Sequence, residues 1–302
     1  MTDPVITVRG LRKSYGDVEA VRGIDLEVQS GEIFAFLGPN GAGKTTTVEI
    51  LEGFRRRDGG EATVLGEDPA RADRSWRERV GFVLQQSKPD IYLTAREALS
   101  LYAGYYSSPR PIEETLELIG LTESADQRAQ KLSGGQQRRL DVGLALIGDP
   151  ELLFLDEPTT GFDPSARRQF WSLIVNLSGL GKTIFLTTHY MEEAQVLARR
   201  VAIIARGEIV AEGAPQEIVD RDKAQATISF RLPDGASAAE LPGEAAAAGS
   251  RNGSVSFRTD SPVEALHQLT EWALARGVDL EGLEVRRPSL EDVYLELTGA
   301  DS

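Results

Sequence analysis

Gly38-Pro-Asn-Gly-Ala-Gly-Lys-Thr45 satisfies every fixed position of G-x-x-x-x-G-K-[ST], and its flanks dictate how the chain must run around it. Ile33 to Leu37 before it is short, apolar and partly aromatic, as a parallel strand buried on both faces is. Thr45 to Leu51 after it can open a helix whose unpaired N–H groups point back into the loop. Strand, tight loop and helix start together form a phosphate cradle. Gly38, Gly41 and Gly43 permit backbone angles and close approaches that a Cβ would block, so successive amides can wrap a β-phosphate. Lys44 then reaches the β- and γ-phosphates, the Thr45 hydroxyl ligates Mg²⁺, and the helix end adds about half a positive charge in the same direction. The candidate nucleotide contacts are Gly38, Pro39, Asn40, Gly41, Ala42, Gly43, Lys44, Thr45 and Thr46.

The 302 residues suffice for one large domain and one small one, each with an interior of its own. Cysteine is absent, which excludes disulfides, thiolate nucleophiles and Cys-ligated zinc. No apolar run approaches the roughly 20 residues that cross a bilayer, and Met1-Thr2-Asp3-Pro4 lacks a basic-then-apolar leader, so a soluble chain without a signal peptide is expected. A net charge of −14 argues against a nucleic-acid surface. Arg55-Arg56-Arg57 and the arginines of Arg71 to Arg79 are read as solvated loops. Bulk charge does not prevent nucleotide binding, because charges beyond a Debye length of about 8 Å are largely screened and the field of Lys44 and the amides decides.

The chain begins with strand patterns from Val5 to Val8 and Glu19 to Val28 around a Gly16-Asp17 turn, an antiparallel start that Gly59 to Gly66 completes. Tyr15, at the turn, is either a half-buried strand aromatic or a ring face for adenine. Val80 to Leu84 reads as a buried strand ending at Gln85, which either touches Mg²⁺ or the attacking water, or is a solvated loop amide. Thr94 to Leu146 is a helical lobe, with Glu97, Leu101 and Tyr102 spaced as one amphipathic face. At its end Ser133 can cap a helix in which Gly134 and Gly135 leave their amides bare, with Gln136 beyond: a second anion-ready helix start. One nucleotide does not need two such starts from one chain. Glu151 to Pro158 gives a buried strand closing on Asp156 and Glu157; strand alternation points them to opposite sides, Asp156 to Mg²⁺ and Glu157 to the attacking water. Thr183 to His189 is a further buried strand, and His189 at its end suits a γ-phosphate sensor.

From about residue 223 the composition shifts. Asp234 to Gly253 reads as a loop between strands, Pro262 to Arg276 as a helix through Val263, Leu266, Leu269 and Leu274, and Leu290 to Leu297 as a short helix capped by Ser289. This is a small α+β domain with no catalytic set.

Ser133-Gly134-Gly135-Gln136, placed between the phosphate loop and Asp156-Glu157, resembles the signature of the ATP-binding cassette family, over residues 4 to 220. The resemblance implies an α/β P-loop NTPase cassette with a RecA-like parallel-sheet core, an antiparallel β-subdomain and a helical subdomain at about 87–146, the cassette over 1–222 and an accessory α+β domain over 223–302. It implies ATP and Mg²⁺ as cofactors, Thr45, Gln85 and Asp156 around the metal, Glu157 as the catalytic glutamate, and His189 and Gln85 as its switch and Q-loop companions. Tyr15 becomes the adenine-stacking aromatic, and the spare helix start is explained by two cassettes meeting head to tail, each signature covering the other's nucleotide. Phe162 stands where the family's D-loop usually has leucine. The ending Pro288 to Gly299 is similar to that of daunorubicin-resistance ATPase subunits, whose membrane partners are separate six-helix permeases. The expectation is therefore the ATPase subunit of a drug or lipid exporter, a homodimer on the cytoplasmic face of the membrane, docking its permeases around Ser87 to Thr94 and binding no nucleic acid. A soluble cassette acting on ribosomes or DNA would be expected to carry two cassettes or long insertions, and a polysaccharide exporter subunit a β-sandwich tail.

Overall fold

The computed structural model describes residues 4–84, 91–221, 225–232, 237–248, 253–287 and 289–298. The chain divides into two compact units between Pro215 and Gln216.

In the first unit, β1 (Pro4–Tyr15) and β2 (Val18–Gln29) form a hairpin around Gly16, whose φ of 59° suits the two-residue turn. β3 (Ile33–Leu37) leads through the glycine-rich loop into α1 (Lys44–Leu51). β4 (Gly59–Val64) returns to pair with β1, giving an antiparallel sheet of order β2-β1-β4. Then come α2 (Arg74–Glu78), β5 (Val80–Val83), and the lobe of α3 (Ala95–Ala103), α4 (Ile112–Leu118) and α5 (Gly134–Leu146). β6 (Leu152–Asp156), α6 (Pro164–Gly179), β7 (Thr183–Thr188), α7 (Met191–Leu197), β8 (Arg200–Ala205) and β9 (Glu208–Gly213) complete the unit. The second sheet runs β5-β6-β7-β3-β8-β9, parallel except for the β8–β9 hairpin.

Both faces of this sheet are covered, which is why its strands read as unbroken apolar runs. In β6, Leu152 and Phe154 join one core with Phe34, Phe36, Phe185 and the antiparallel sheet, while Leu153 and Leu155 join another with Ile33, Ile184 and Leu186 under α5 and α6. Phe154 stacks on Phe82 at 5.8 Å between ring centroids and meets Phe185 at 5.4 Å. The arginines expected on solvated loops are mostly engaged instead. Arg57 grips Asp68 through two bonds of 2.8 and 2.9 Å, Arg79 bonds Glu151, and Arg74 lies on α2, whose Trp76 is buried. In α3 the buried face is Ala95, Ala98 and Leu99, whereas Leu101 and Tyr102 are exposed.

Beyond Pro215, the first residue of α8 (Pro215–Arg221), the second unit holds the rest of that helix, β10 (Ala226–Arg231), β11 (Ser254–Thr259), α9 (Pro262–Arg276), β12 (Glu281–Arg286) and α10 (Leu290–Thr298). Its sheet is antiparallel, ordered β11-β10-β12, and Ile228, Phe230, Val255 and Phe257 pack against Leu269 of α9. The segment read as a loop contains two short 3₁₀ turns, Ala238–Glu240 and Gly243–Ala247, that place Leu241 and Ala245 in this core. Gly277, at φ 64°, ends α9 as expected. No helix among the described residues is long and apolar enough to cross a membrane.

Candidate active site

β7 lies between β3 and β6, with Thr188 in register with Leu37 and Thr187 with Asp156. The carboxyl ends of the three strands therefore present the loop after Leu37, the Asp156-Glu157 pair and His189 along one edge of the sheet, where open α/β sheets bind ligands. The N–H groups of Lys44, Thr45 and Thr46 in the first turn of α1 donate to no protein acceptor among the described bonds, and the first helical bond is Thr47 N–H to Gly43 O at 2.9 Å. Gly41 has open space around a notional Cβ, but at Gly38 and Gly43 a Cβ would lie 2.4 Å from the carbonyl oxygens of Ile204 and Ala20. Two of the three glycines thus let the loop press onto β8 and β2. The β8–β9 turn fixes it further, as Gly207 N–H donates to Ala42 O at 3.0 Å.

Lys44 is buried, and its ammonium donates to Gly38 O and, at 3.1 Å, to Pro39 O, leaving one of its three hydrogens for a phosphate. Burial pushes its pKa down, while the carboxylates of Glu157 and Asp156 oppose that shift. Thr45 is exposed at the mouth of the loop. Tyr15 stands half-exposed at the end of β1, its hydroxyl 3.5 Å from Thr46 Oγ1 and its ring 5.2 Å from the Arg55 guanidinium.

Asp156 ends β6, and its Oδ1 accepts the Thr187 hydroxyl. Glu157 lies beyond the strand with φ at 42°, so the two carboxylates diverge through a left-handed turn and not through the pleat. Such a conformation costs on the order of 1–3 kcal/mol. The carbonyl and hydroxyl oxygens of Thr187, both 3.1 Å from Glu157 N, hold it in place. Glu157 Oε2 lies 3.4 Å from His189 Nδ1 and accepts the Thr160 hydroxyl at 3.3 Å. Gln85 lies outside the described residues.

Ser133 caps α5 reciprocally with Gln136: Gln136 N–H donates to Ser133 Oγ at 3.2 Å, and Ser133 N–H donates to Gln136 Oε1 at 2.9 Å. A cleft of about 500 Å³ is lined by Ser133, Gly134, Gly135 and Gln136 on one side and Glu157, Thr160 and Asp163 on the other; no residue of 38–46 lines it. Sequence reasoning missed Arg138. Buried on α5, it donates from Nη1 to Leu84 O at 2.6 Å, from Nη2 to Asp156 O at 2.9 Å and from Nε to Pro158 O at 3.1 Å. Its sequence signal is slight: the first of two adjacent arginines, it sits two residues before buried Leu140.

Glu52, at the end of α1, was also missed. Burial, followed by the charges of Asp156 and Glu49, raises its pKa from 4.5 to about 8. Between those values the unfolded chain has lost a proton that the folded chain keeps, so stability falls as pH rises through this window. Glu52→Gln is expected to flatten that fall: its advantage in melting temperature over the parent, measured without nucleotide, should grow from about pH 5 to about pH 8. A constant difference across that range would contradict it.

A phosphate cradle at the carboxyl edge of a parallel sheet, flanked by paired carboxylates on the neighbouring strand end, defines a P-loop nucleotide-binding protein. The ABC transporter model matches residues 21–160, and a model described as the C-terminal domain of ABC transporter domain-containing protein-like chains matches 226–289. A daunorubicin resistance ATP-binding protein of Streptomyces coeruleorubidus is 37% identical over 309 residues, spanning 100% of this chain and 98% of the relative. A Nod factor export ATP-binding protein I of Rhizobium sp. (strain N33) is 39% identical over 317 residues, spanning 100% and 99%. Among solved structures, a dimeric ATP-binding cassette in a post-hydrolysis state with ADP and Pi superposes with a TM-score of 0.62 at 26% identity, over 69% of this chain and 98% of that one. The chain belongs to the ABC transporter family, and it is an ATP-binding, ATP-hydrolysing subunit.

Proposed function

We propose that this chain powers a membrane exporter of drug-, antibiotic- or lipid-like cargo, working as a head-to-tail pair of cassettes on the cytoplasmic face of separate permease subunits. The observation that carries the pairing is the chain's two phosphate-ready helix starts, at Lys44 and at Gly134, of which the second opens onto a cleft that the cradle does not line. One copy's Ser133, Gly134, Gly135 and Gln136 then close over the nucleotide held by the other copy. The export role is supported by full-length similarity to proteins named for daunorubicin resistance and for Nod factor export. We assign the cassette to 1–222, its helical subdomain to 87–146, and the accessory domain to 223–302.

In this reading Gly38 to Thr46 hold the triphosphate, with Lys44 on the β- and γ-phosphates. Thr45, Asp156 and Gln85 would hold Mg²⁺. Asp156 and Thr45 fit that ion, because Mg²⁺ takes oxygen ligands, with one or two carboxylates from the protein and much of the shell from phosphate and water. The ion would neutralise charge on the β- and γ-oxygens. Glu157 orients a water in line with the γ-phosphorus and takes its proton as the water oxygen–phosphorus bond forms and the bond to the ADP oxygen breaks. His189, 3.4 Å from that carboxylate, aligns it and senses the γ-phosphate.

Tyr15 stacks on adenine, a contact that discriminates poorly between purines. GTP is therefore expected to compete appreciably with ATP, and Tyr15→Ala to weaken both, by calorimetric titration; strict ATP selectivity unaffected by the substitution would count against it. The function itself is tested in inside-out vesicles carrying this chain with its six-helix permeases. ATP-dependent accumulation of daunorubicin or of a Nod factor is expected, whereas hydrolysis stimulated by ribosomes or DNA and not by permease would reject export.

A further inference from the structure

Glu193 of α7 has no exposed surface, an unusual place for a carboxyl, since an unpaired buried charge costs several kcal/mol. Its Oε1 accepts the Thr159 hydroxyl at 2.9 Å and the Trp171 indole N–H at 3.0 Å. Burial pushes its pKa up; the Trp171 and Thr159 bonds and the charge of Arg167 act in the opposite direction. Oε2 is buried with no partner in hydrogen-bond geometry, as is Arg167 Nε.

The origin of these donors is informative. Thr159 stands two residues after Glu157, and Glu193 itself follows His189 by four residues, its N–H donating to Tyr190 O at 3.1 Å. Thr188 Oγ1 accepts Tyr190 N–H at 3.0 Å, so the two flanks of His189 are tied to each other and, through Tyr190 O, to the start of α7. Threonine is stiff at χ1, so fixing its hydroxyl fixes the direction of its backbone. The buried carboxyl thereby ties the segment after β6 to α7, which begins directly after His189 and Tyr190, while Trp171 anchors the clamp to α6.

We propose that Glu193 is a positioning residue: acting through Thr159 on one side and the start of α7 on the other, it fixes the separation of Glu157 and His189 and thereby sets the rate of hydrolysis without touching nucleotide. The inference rests on the roles given above to Glu157 and His189. A displacement of about 1 Å at a reacting group can cost roughly 10²-fold in rate.

The test uses the full chain and Mg·ATP. Glu193→Ala is expected to lower kcat about 10- to 100-fold while KM for ATP stays within about threefold. Glu193→Gln keeps an oxygen for Thr159 and Trp171 and should restore kcat to within about threefold of the parent. Thr159→Val, a milder change that covers the case in which Glu193→Ala fails to fold, should lower kcat by itself and add little to Glu193→Ala. The proposal is overturned if Glu193→Ala or Thr159→Val keeps the parental kcat while Glu157→Gln is inactive. It is equally overturned if Glu193→Gln is as impaired as Glu193→Ala, with kcat, KM and melting temperature all shifted together. An active Glu157→Gln would remove the general-base role and this inference with it, a pattern distinct from the other two.

Discussion

Glu157→Gln is expected to lower ATP hydrolysis by about 10²–10⁴ while leaving ATP binding in place. Glutamine has the same shape and can keep the Thr160 and His189 contacts, but it cannot take a proton from water. The effect isolates the base because the turn that aims residue 157 is held through its backbone N–H by Thr187, which the substitution does not touch. With hydrolysis stopped, ATP should persist between one copy's phosphate loop and the other copy's signature helix and lock the protein as a dimer. Adding Ser133→Arg should abolish that dimer, since a long side chain at the capped start of α5 would crowd the partner's γ-phosphate. Size-exclusion chromatography with ATP and Mg²⁺ reads both results. Parental hydrolysis by Glu157→Gln would remove that residue from the mechanism, and a dimer that survives Ser133→Arg would reject the shared site.

The second large effect is on binding. Lys44→Ala removes a charge-assisted bond to phosphate worth about 1.5–3 kcal/mol, which corresponds to roughly 10–10² in Kd. The ammonium's bonds to Gly38 O and Pro39 O also vanish, leaving the loop without its internal tie. Asp156 and Glu157 would then face incoming phosphate without the neighbouring cation that acts on them electrostatically. Calorimetric titration of ATP decides it: an unchanged Kd would defeat the cradle assignment.

Much of the site was legible in the sequence because its chemistry is written contiguously. Gly38 to Thr45, Ser133 to Gln136 and Asp156-Glu157 each contain, within a few residues, the loop, cap or strand end that presents them. Less legible were residues whose role depends on partners far away in sequence. Arg138 meets carbonyls 18, 20 and 54 positions away, and Glu193 meets donors 22 and 34 positions away. Their residue types suggest a solvated surface, and only the packing of α5 and α7 reverses that. Periodicity failed in a similar way on α3 and α9. Leu101, Val263 and Leu274 satisfy helical spacing yet are 51%, 81% and 83% exposed, because small residues such as Ala98 and Ala273 take the buried positions.

The guanidinium of Arg138 has a mechanical consequence. It joins the start of α5 to the ends of two strands through three carbonyls, and bonds to a charged group are worth about 1.5–3 kcal/mol each. Swinging the signature helix alone would break all three at once, so the helix start, the Asp156 corner and the exit of β5 travel together as one rigid lever. A displacement of the backbone at Leu84 would therefore be felt at the start of α5 through the same guanidinium.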